Sequence, residues 1–511
     1  MNKTLLAKQA AGECANNSTH QGGIGSRPFW NANAFQFMYA PAFQFQPLPG
    51  VGRYRYTAID EAGNTHAFQE DTASSGLTPI WAAIPEGVVH LTVEALNSEG
   101  KPFCTVGART FFRVAPFPAD LPGPARPYGE AAALAFDYAM SQSFIRHWLL
   151  EGTPDPEYDL NVYPCKMIAS LINAMLYYAG VRPEKSEDAL TIAKNAADYL
   201  IRITPREGVL KDVPPTYYLD FRSRSEDRYN ALAGERIHQM MLIYPAIAGT
   251  AYMNLEKKTG ETRYLEEALR IGAYYRDHVL ENGSWHLILD VRTGEPVSSN
   301  FCEPTADITP FLRALYDRTG DEIWKTLADG ALKYTETHAL KNYEWEGQFE
   351  DSVCSLLYSN LSHYGAAALA RYYADYFPDS PEHMAAAEDL MRFVEDQFVV
   401  WKRPAPWNAS GYDTSVWHTP AGLEQYAWHM PIDASTAQIA SAFLAMYRAG
   451  RGELYLAKAL ALADSLTRAQ QPDGRIPTHW MTEEFMRGRN FWINCLFSSA
   501  SVLAEFAAFL S

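Results

Sequence analysis

The feature that most constrains this chain is a helical motif that recurs along most of its length. Each copy has an apolar helix, a tight turn with Gly and a capping acid or Ser, and a second, amphipathic helix. Clear copies of the turn and second helix lie at Thr259–Leu269, Thr319–Ala328 and Gly450–Leu460, and looser ones begin at Lys185 and Asp379. Turn residues followed by an acid and an apolar repeat indicate a helix restart. The chain beyond about residue 130 is therefore predicted to be an array of helical hairpins.

The pattern predicts twelve helices in two alternating sets. Helices that are apolar nearly all round belong inside a fold, and amphipathic helices belong outside. The more apolar set covers about 164–178, 237–258, 304–318, 352–376, 433–449 and 493–510. The more charged set covers about 130–149, 186–203, 261–280, 321–338, 380–398 and 453–470. Six inner and six outer helices in alternation predict a mainly α protein with an (α/α)6 barrel, and an open solenoid of hairpins is the alternative.

The residues before this array have a different pattern. Residues 1–27 are polar and Gly-rich, and we expect an irregular arm there. Residues 28–117 contain short alternating runs separated by turn signals, which favours a small β-sandwich of immunoglobulin or fibronectin type. Proline-rich residues 118–129 are predicted to link it to the barrel at 130–511. No catalytic constellation lies in the sandwich, so we expect it to pack against the barrel or to mediate homo-oligomer contacts.

Composition narrows the classes of partner. The net charge of −17 disfavours nucleic acid, whose phosphates demand a basic surface. Six widely spaced cysteines without a CxxC motif favour free thiols over a disulfide framework or a zinc site. The sequence has neither a signal-peptide pattern nor a run of about 18 apolar residues, so we expect a cytoplasmic protein without a membrane partner.

The long connections between outer and inner helices are rich in aromatic and charged residues. The inner helices all point their N-terminal ends at one mouth of a barrel, where long loops build binding sites. Aromatic faces stack on sugar rings while acids and amides bind hydroxyl groups, so the mouth predicts a glycan-binding cleft. The residues that line it in this interpretation include Tyr163, Lys166, Tyr217, Tyr218, Asp220, Trp285, Glu424, Gln425, His479, Trp492 and Asn494.

A segment with four acids and three aromatics, at residues 343–351, precedes the fourth inner helix. Two carboxylates can cleave a glycosidic bond, since one protonates the leaving oxygen and the other attacks or activates water. Burial beside aromatics raises the pKa of one of them, as a general acid requires. The alternative is that these acids, with Asp307 and Asp433, only cap helices. The candidate catalytic residues are Glu350, Asp351, Glu346, Glu303 and Asp307.

Arginines at the predicted mouth indicate an acidic substrate. A guanidinium group binds a carboxylate through a bidentate fork, which favours a uronic acid over a neutral sugar; pairing with the many nearby acids is the alternative. No HxxE or HExxH motif lies on a helix, so neither a metal nor a cofactor is predicted. The candidate substrate-binding residues are Arg236, His238, Tyr218, Arg222, Trp345, Tyr426, His429, Asp433, Arg489 and Trp492.

Three segments resemble a known family. They are 345–351 (WEGQFED), Phe398–Trp401 and Leu423–Tyr426 together with Pro431–Ser435, and they look most like glycoside hydrolase family 154. The resemblance covers about residues 130–511 and implies a six-hairpin glycosidase barrel and a β-glucuronidase acting on glycans that contain glucuronic acid. A polysaccharide lyase acting by β-elimination, a sugar epimerase with paired histidines, and a non-catalytic glycan-binding protein are the alternatives.

Overall fold

The computed structural model describes residues 2–22, 29–218, 234–343, 345, 347–348, 361–407, 411–482, 484–485 and 491–511. The N-terminal part contains two short helices, α1 (Lys3–Asn16) and α2 (Thr78–Trp81), and two sheets. One sheet has the order β2-β8-β7-β4-β5 and the other β1-β3-β6. Its strands are β1 Ser18–His20, β2 Gln36–Phe37, β3 Ala40–Gln44, β4 Tyr54–Ile59, β5 Thr65–Glu70, β6 Ser74–Gly76, β7 Gly87–Leu96 and β8 Pro102–Arg113.

Two N-terminal predictions need correction. The stretch expected to be an irregular arm contains α1, which buries Leu6, Ala10 and Cys14 on one face, and β1, which joins a sheet. Antiparallel pairing holds for β4, β5, β7 and β8, but β1 pairs with β3 and β2 with β8 in parallel. The N-terminal part therefore departs from a purely antiparallel immunoglobulin-type sandwich.

The rest of the chain alternates between two layers of helices. The inner helices are α5 Pro164–Val181, α7 Tyr244–Thr259, α9 Ile308–Thr319, α12 Tyr364–Tyr376, α14 Asp433–Arg448 and α16 Ile493–Leu510. The outer helices are α3 Tyr128–Ser141, α4 Ser143–Leu150, α6 Ser186–Ile203, α8 Thr262–His278, α10 Glu322–Thr337, α11 Ala339–Asn342, α13 Pro381–Phe398 and α15 Glu453–Ala469. The strands β9 Gln239–Met241, β10 Ile288–Asp290, β11 Val399–Val400 and β12 Ala421–Gly422 lie in the connections.

The packing of these helices closes a ring. Each inner helix from α5 to α14 packs on the outer helix that follows it, and α16 packs on α3. Within the inner layer, α7 contacts α5 and α9, while α14 contacts α12 and α16, and α16 contacts α5. A hydrogen bond of 3.1 Å from Tyr364 to Asp307 links α12 to the start of α9. This closure excludes the open solenoid and confirms the predicted alternation of inner and outer helices.

Three helix boundaries differ from the predictions. Extended backbone at Gln142 divides the first outer helix into α3 and α4. The second inner helix begins at Tyr244 instead of residue 237, because the apolar run before it forms β9 and pairs with β10. The fourth inner helix begins at Tyr364 in the part of the chain that is described, whereas the predicted start at 352 lies outside the described residues.

Helix α16 is the one described helix that is long and apolar enough to cross a membrane. Half of it is buried, and it packs between α5 and α14 and against α3. Its apolar character is that of an inner barrel helix.

The two parts of the chain meet at the end of α13. Asp396 is fully buried there, and its carboxylate accepts hydrogen bonds from Thr19 Oγ1 and the Tyr39 amide, both at 2.8 Å. The neighbouring Glu395 forms a buried ion pair of 2.6 Å with Lys458 and accepts a hydrogen bond from Tyr39 Oη. Because Thr19 and Tyr39 belong to the N-terminal part, their buried hydrogen bonds to Asp396 and Glu395 of α13 hold the N-terminal sheets against the barrel.

Candidate active site

A cavity of about 840 Å³ opens where the N-terminal ends of the inner helices meet. This volume lies in the range of pockets that enclose a ligand of several ring units. Every inner helix, or the residue that caps it, contributes side chains to the cavity wall. The polar and aromatic lining residues near the mouth are Tyr163, Lys166, Arg236, Tyr244, Asp307, Gln348, His363, Tyr364, Glu424, Gln425, Trp428, Gln438, His479, Trp492 and Asn494.

Asp307 and Tyr364 form the best-defined pair in this cleft. Asp307 occupies the N-cap position of α9, yet its carboxylate does not cap that helix. It accepts instead the hydroxyl hydrogen of Tyr364, the first residue of α12, at 3.1 Å. Burial raises the pKa of Asp307 to about 7, and the hydrogen bond from Tyr364 offsets part of that rise. Asp307 can therefore carry a proton near neutral pH, as a general acid must.

Two cationic side chains line the same cleft. Lys166 lies in the first turn of α5, with its Nζ 4.9 Å from the centre of the Trp492 ring. Trp492 stacks in turn on Tyr163, with ring centroids 5.9 Å apart. Arg236 lies in the helical turn Gly234–His238 and also faces the cavity. These residues give the mouth two positive charges beside an aromatic wall, which suits an anionic ring.

Glu424 adds a second carboxylate, and its backbone orients a histidine. The carbonyl oxygen of Glu424 lies 3.2 Å from His363 Nδ1, and Gln438 Oε1 lies 3.0 Å from His363 Nε2. Both of these oxygens can only accept, and a neutral imidazole has one N–H group, so neutral His363 donates to one of the two. Burial lowers the pKa of His363, which keeps this ring neutral. Glu424, His363 and Gln438 all line the cleft.

Behind the wall formed by α12 lie two of the predicted residues. Glu303 is 5% exposed, and its Oε1 accepts hydrogen bonds of 2.7 Å from Thr305 and from Thr335 of α10. Burial raises the pKa of Glu303 to about 7, but its partners hold it toward the outer layer and away from the cleft lining. Trp345 is 1% exposed and packs edge-on against Tyr343.

Gln348 is held between this wall and the cleft. Its Oε1 accepts hydrogen bonds from the amide and hydroxyl groups of Ser362, at 2.9 and 3.2 Å. Its Nε2 would lie 2.2 Å from a Cβ atom at position 365. Glycine at 365 therefore makes room for the Gln348 amide beside Tyr364.

Other predicted binding residues lie outside the cleft lining. Asp433, the first residue of α14, is fully buried and accepts a hydrogen bond from Ser499 at 3.0 Å. Tyr426 and His429 are 1% exposed, and both contact Gln397. Burial raises the pKa of Asp433 well above its ordinary value and lowers that of His429 to about 4. These side chains support the loop that carries Glu424.

Tyr218 and His238 lie near the mouth without lining the cavity. The amide of Tyr218 donates to the carbonyl of Val162 at 3.0 Å, and the exposed His238 ends the helical turn Gly234–His238 next to β9. Glu346, Glu350, Asp351, Arg222 and Arg489, which complete the predicted site, lie outside the described residues. Within the described ranges, no group of three or more His, Cys, Asp or Glu side chains could hold a metal ion.

The structure adds site residues that the sequence did not single out. Tyr364 lies at an apolar position of its helix, and His363 and Gln438 are isolated polar residues. The available signal was a pair of polar residues, Ser362 and His363, directly before an apolar helix whose first residue is tyrosine. Such a start resembles an ordinary helix cap, and only the fold shows that it faces Asp307.

Neither a model of a known protein family nor a curated protein matches this sequence. Solved structures do match. A family 76 glycoside hydrolase from a bovine Bacteroides thetaiotaomicron strain superposes with a TM-score of 0.51 at 11% identity, covering 92% of this chain and 96% of that one. Cellobiose 2-epimerase from Spirochaeta thermophila superposes with a TM-score of 0.50 at 11% identity, covering 76% and 100% of the two chains. At such low identity the likeness shows the fold alone, the six-hairpin (α/α)6 barrel.

Proposed function

We propose that this protein is a carbohydrate-active enzyme, and specifically a glycoside hydrolase that cleaves glycans containing uronic acid, with β-glucuronidase activity as the closest description. One observation carries the proposal. Two carboxylates, Asp307 and Glu424, line the same cleft as two cations, Lys166 and Arg236. The family 154 resemblance in the sequence points to the same activity.

Asp307 is the proposed general acid. Its Oδ1 accepts the Tyr364 hydroxyl, so the opposite oxygen is the one available to carry the proton. With the pKa of Asp307 near 7, part of the enzyme holds that proton at neutral pH. The protonated carboxyl can deliver it to the leaving glycosidic oxygen.

Glu424 is the proposed second carboxylate. In glycosidases the partner of the acid stays ionised and either attacks the sugar or activates water. Glu424 lies in the loop between α13 and α14, and pairing of Leu423 with Pro431 fixes that loop. Arg236 and Lys166 then bind the substrate carboxylate, since a guanidinium or ammonium group forms charge-assisted hydrogen bonds with it.

Paired substitutions test this assignment. Asp307→Asn and Glu424→Gln should each lower kcat for 4-nitrophenyl β-D-glucuronide by about 100-fold or more, the range for loss of an acid–base group. Glu303→Gln is the matched control, because Glu303 is also a buried acid with a raised pKa but lies off the cleft. It should keep most of the activity. If Glu303→Gln is inactive and Asp307→Asn is active, the assignment of the acid is wrong.

A sugar epimerase is the second candidate, favoured by two histidines, His363 and His479, that line the cleft. An epimerase would invert one carbon without cleaving the glycosidic bond. Proton NMR of the products distinguishes the two activities, since only hydrolysis releases a free uronic acid. A lyase would instead produce an unsaturated sugar. Tyr364 is a poor base for that reaction, because burial and the neighbouring Asp307 raise its pKa.

A further inference from the structure

The cavity continues from the mouth along the barrel axis. On α5 it is lined by Lys166, Ser170, Asn173 and Tyr177, so it follows this helix for about 16 Å at 1.5 Å per residue. On α7 it extends to Asn254. Tyr177 is 46% exposed, and Asn254 is exposed as well, which places them at the far end of the barrel. Small and polar side chains thus replace the apolar residues that usually fill a barrel core.

The chemistry of the wall changes with depth. The lysine, arginine, aspartate and glutamate residues of the lining all lie at the mouth, at or before the first turns of inner helices. The deeper polar residues carry only amide and hydroxyl groups, and they lie beside apolar Ala174, Ile247 and Phe497. The Asn254 amide nitrogen donates a hydrogen bond of 2.9 Å to the Asn173 amide oxygen. This leaves the amide oxygen of Asn254 and the amide nitrogen of Asn173 for a ligand. Within the described part of the chain, Ser498 and Ser501 of α16 make no side-chain hydrogen bond although both line the cavity.

We propose that this axial section is a subsite for a neutral sugar ring, so that the substrate is a glycan in which a neutral sugar adjoins the acidic one. The inference rests on the proposed function, since the acidic unit is placed at Lys166 and Arg236. The hydroxyls of a neutral ring match the amides and serines, and the exposed ring of Tyr177 offers an apolar face for stacking. A second uronic acid would lie there without a cation among the described lining residues.

Titration calorimetry tests the subsite in the Asp307→Asn background, where substrates remain intact. The probes are D-glucuronic acid, cellobiouronic acid, in which glucuronic acid is joined to glucose, and cellobiose. We expect cellobiouronic acid to bind at least about ten times more tightly than glucuronic acid, because it fills both sections. Ser501→Phe, which places a ring in the axial section, should abolish this gain and leave the Kd for glucuronic acid unchanged.

Two further variants control for misfolding. Ala508→Phe adds the same ring to the exposed side of α16 and should bind like the parent. Tyr177→Ala removes an exposed ring and leaves no buried void. It should raise the Kd for cellobiouronic acid by about 2- to 10-fold, the range for an aromatic contact. A loss of affinity in Tyr177→Ala supports the subsite even if Ser501→Phe fails to fold.

The outcomes separate the two proposals. Equal Kd values for glucuronic acid and cellobiouronic acid would overturn the neutral subsite while leaving the uronate site intact. If neither acidic probe binds, the proposed function fails. The binding of cellobiose then tests whether the neutral subsite exists. Binding of cellobiose that Tyr177→Ala weakens and Ser501→Phe abolishes would support the subsite by itself, and no binding would overturn it.

Discussion

Replacing Tyr364 with phenylalanine should move the pH dependence of catalysis in a known direction. The change removes one hydroxyl group and keeps the packed ring, so the main loss is the 3.1 Å hydrogen bond to Asp307. That bond stabilises the ionised carboxylate, and its removal raises the pKa of Asp307 above the present value of about 7. A general acid works only when protonated, so the activity that falls as the pH rises through this pKa should persist to higher pH in the variant.

The size of the shift follows from the bond. A hydrogen bond to a charged group contributes about 1.5–3 kcal/mol, and one pKa unit corresponds to about 1.4 kcal/mol. This sets an upper limit of about two units; protonated Asp307 retains part of the bond, so we expect about one unit. The assay is kcat/KM for 4-nitrophenyl β-D-glucuronide from about pH 5 to 9, which reports the pKa values of the free enzyme. Tyr177→Phe, at the far end of the cavity, should leave the alkaline limb of this pH profile, where activity falls as the pH rises, in place. A limb that stays fixed or moves to lower pH in Tyr364→Phe would refute Asp307 as the acid.

Two other predictions address the substrate and the fold. Arg236→Ala should lower kcat/KM for the glucuronide far more than for the corresponding glucoside, because only the glucuronide has a carboxylate for the guanidinium to bind; equal losses on both substrates would reject the carboxylate contact. Gly249→Ala should lower the free energy of unfolding by about 1–3 kcal/mol, because the added Cβ would lie 2.4 Å from Phe311 Cε2 and overpack α7 against α9. Its control, Gly330→Ala, meets nothing within 4 Å and should stabilise α10 by about 0.5–1 kcal/mol in a urea titration. A Gly249→Ala variant as stable as Gly330→Ala would contradict this close packing.

The helical part of the fold was largely predictable, because periodicity and turn chemistry act locally. The turns at Gly260 and Gly320 have left-handed backbone, which glycine adopts without steric strain, and each ends an inner helix where the sequence indicates. The prediction that the second inner helix begins at residue 237 was wrong because residues 237–243 depend on a distant partner. A short apolar run does not distinguish a strand from a helix, and the partner that decides the matter, Ile288–Asp290, lies far along the chain.

The residue types of the candidate site were predictable from the sequence, but which residues meet in the cleft was not. The mouth of the barrel follows from the long connections, and Asp307 was identifiable as an acid at the start of an inner helix. Its partner Tyr364 was not, because the contact joins residues 57 positions apart and depends on how α9 and α12 pack. Glu303 is the converse case, because it lies close to Asp307 in sequence, yet its hydrogen bond to Thr335 turns it toward the outer layer.

The most direct test of the central claim is the ratio of kcat/KM for 4-nitrophenyl β-D-glucuronide to that for 4-nitrophenyl β-D-glucoside. The two substrates differ only in the carboxylate at the position that Arg236 and Lys166 are proposed to bind. A ratio well above one, which falls toward one in Arg236→Ala, is the result we predict. Preference for the glucoside, or equal cleavage of both, would contradict a uronic-acid hydrolase.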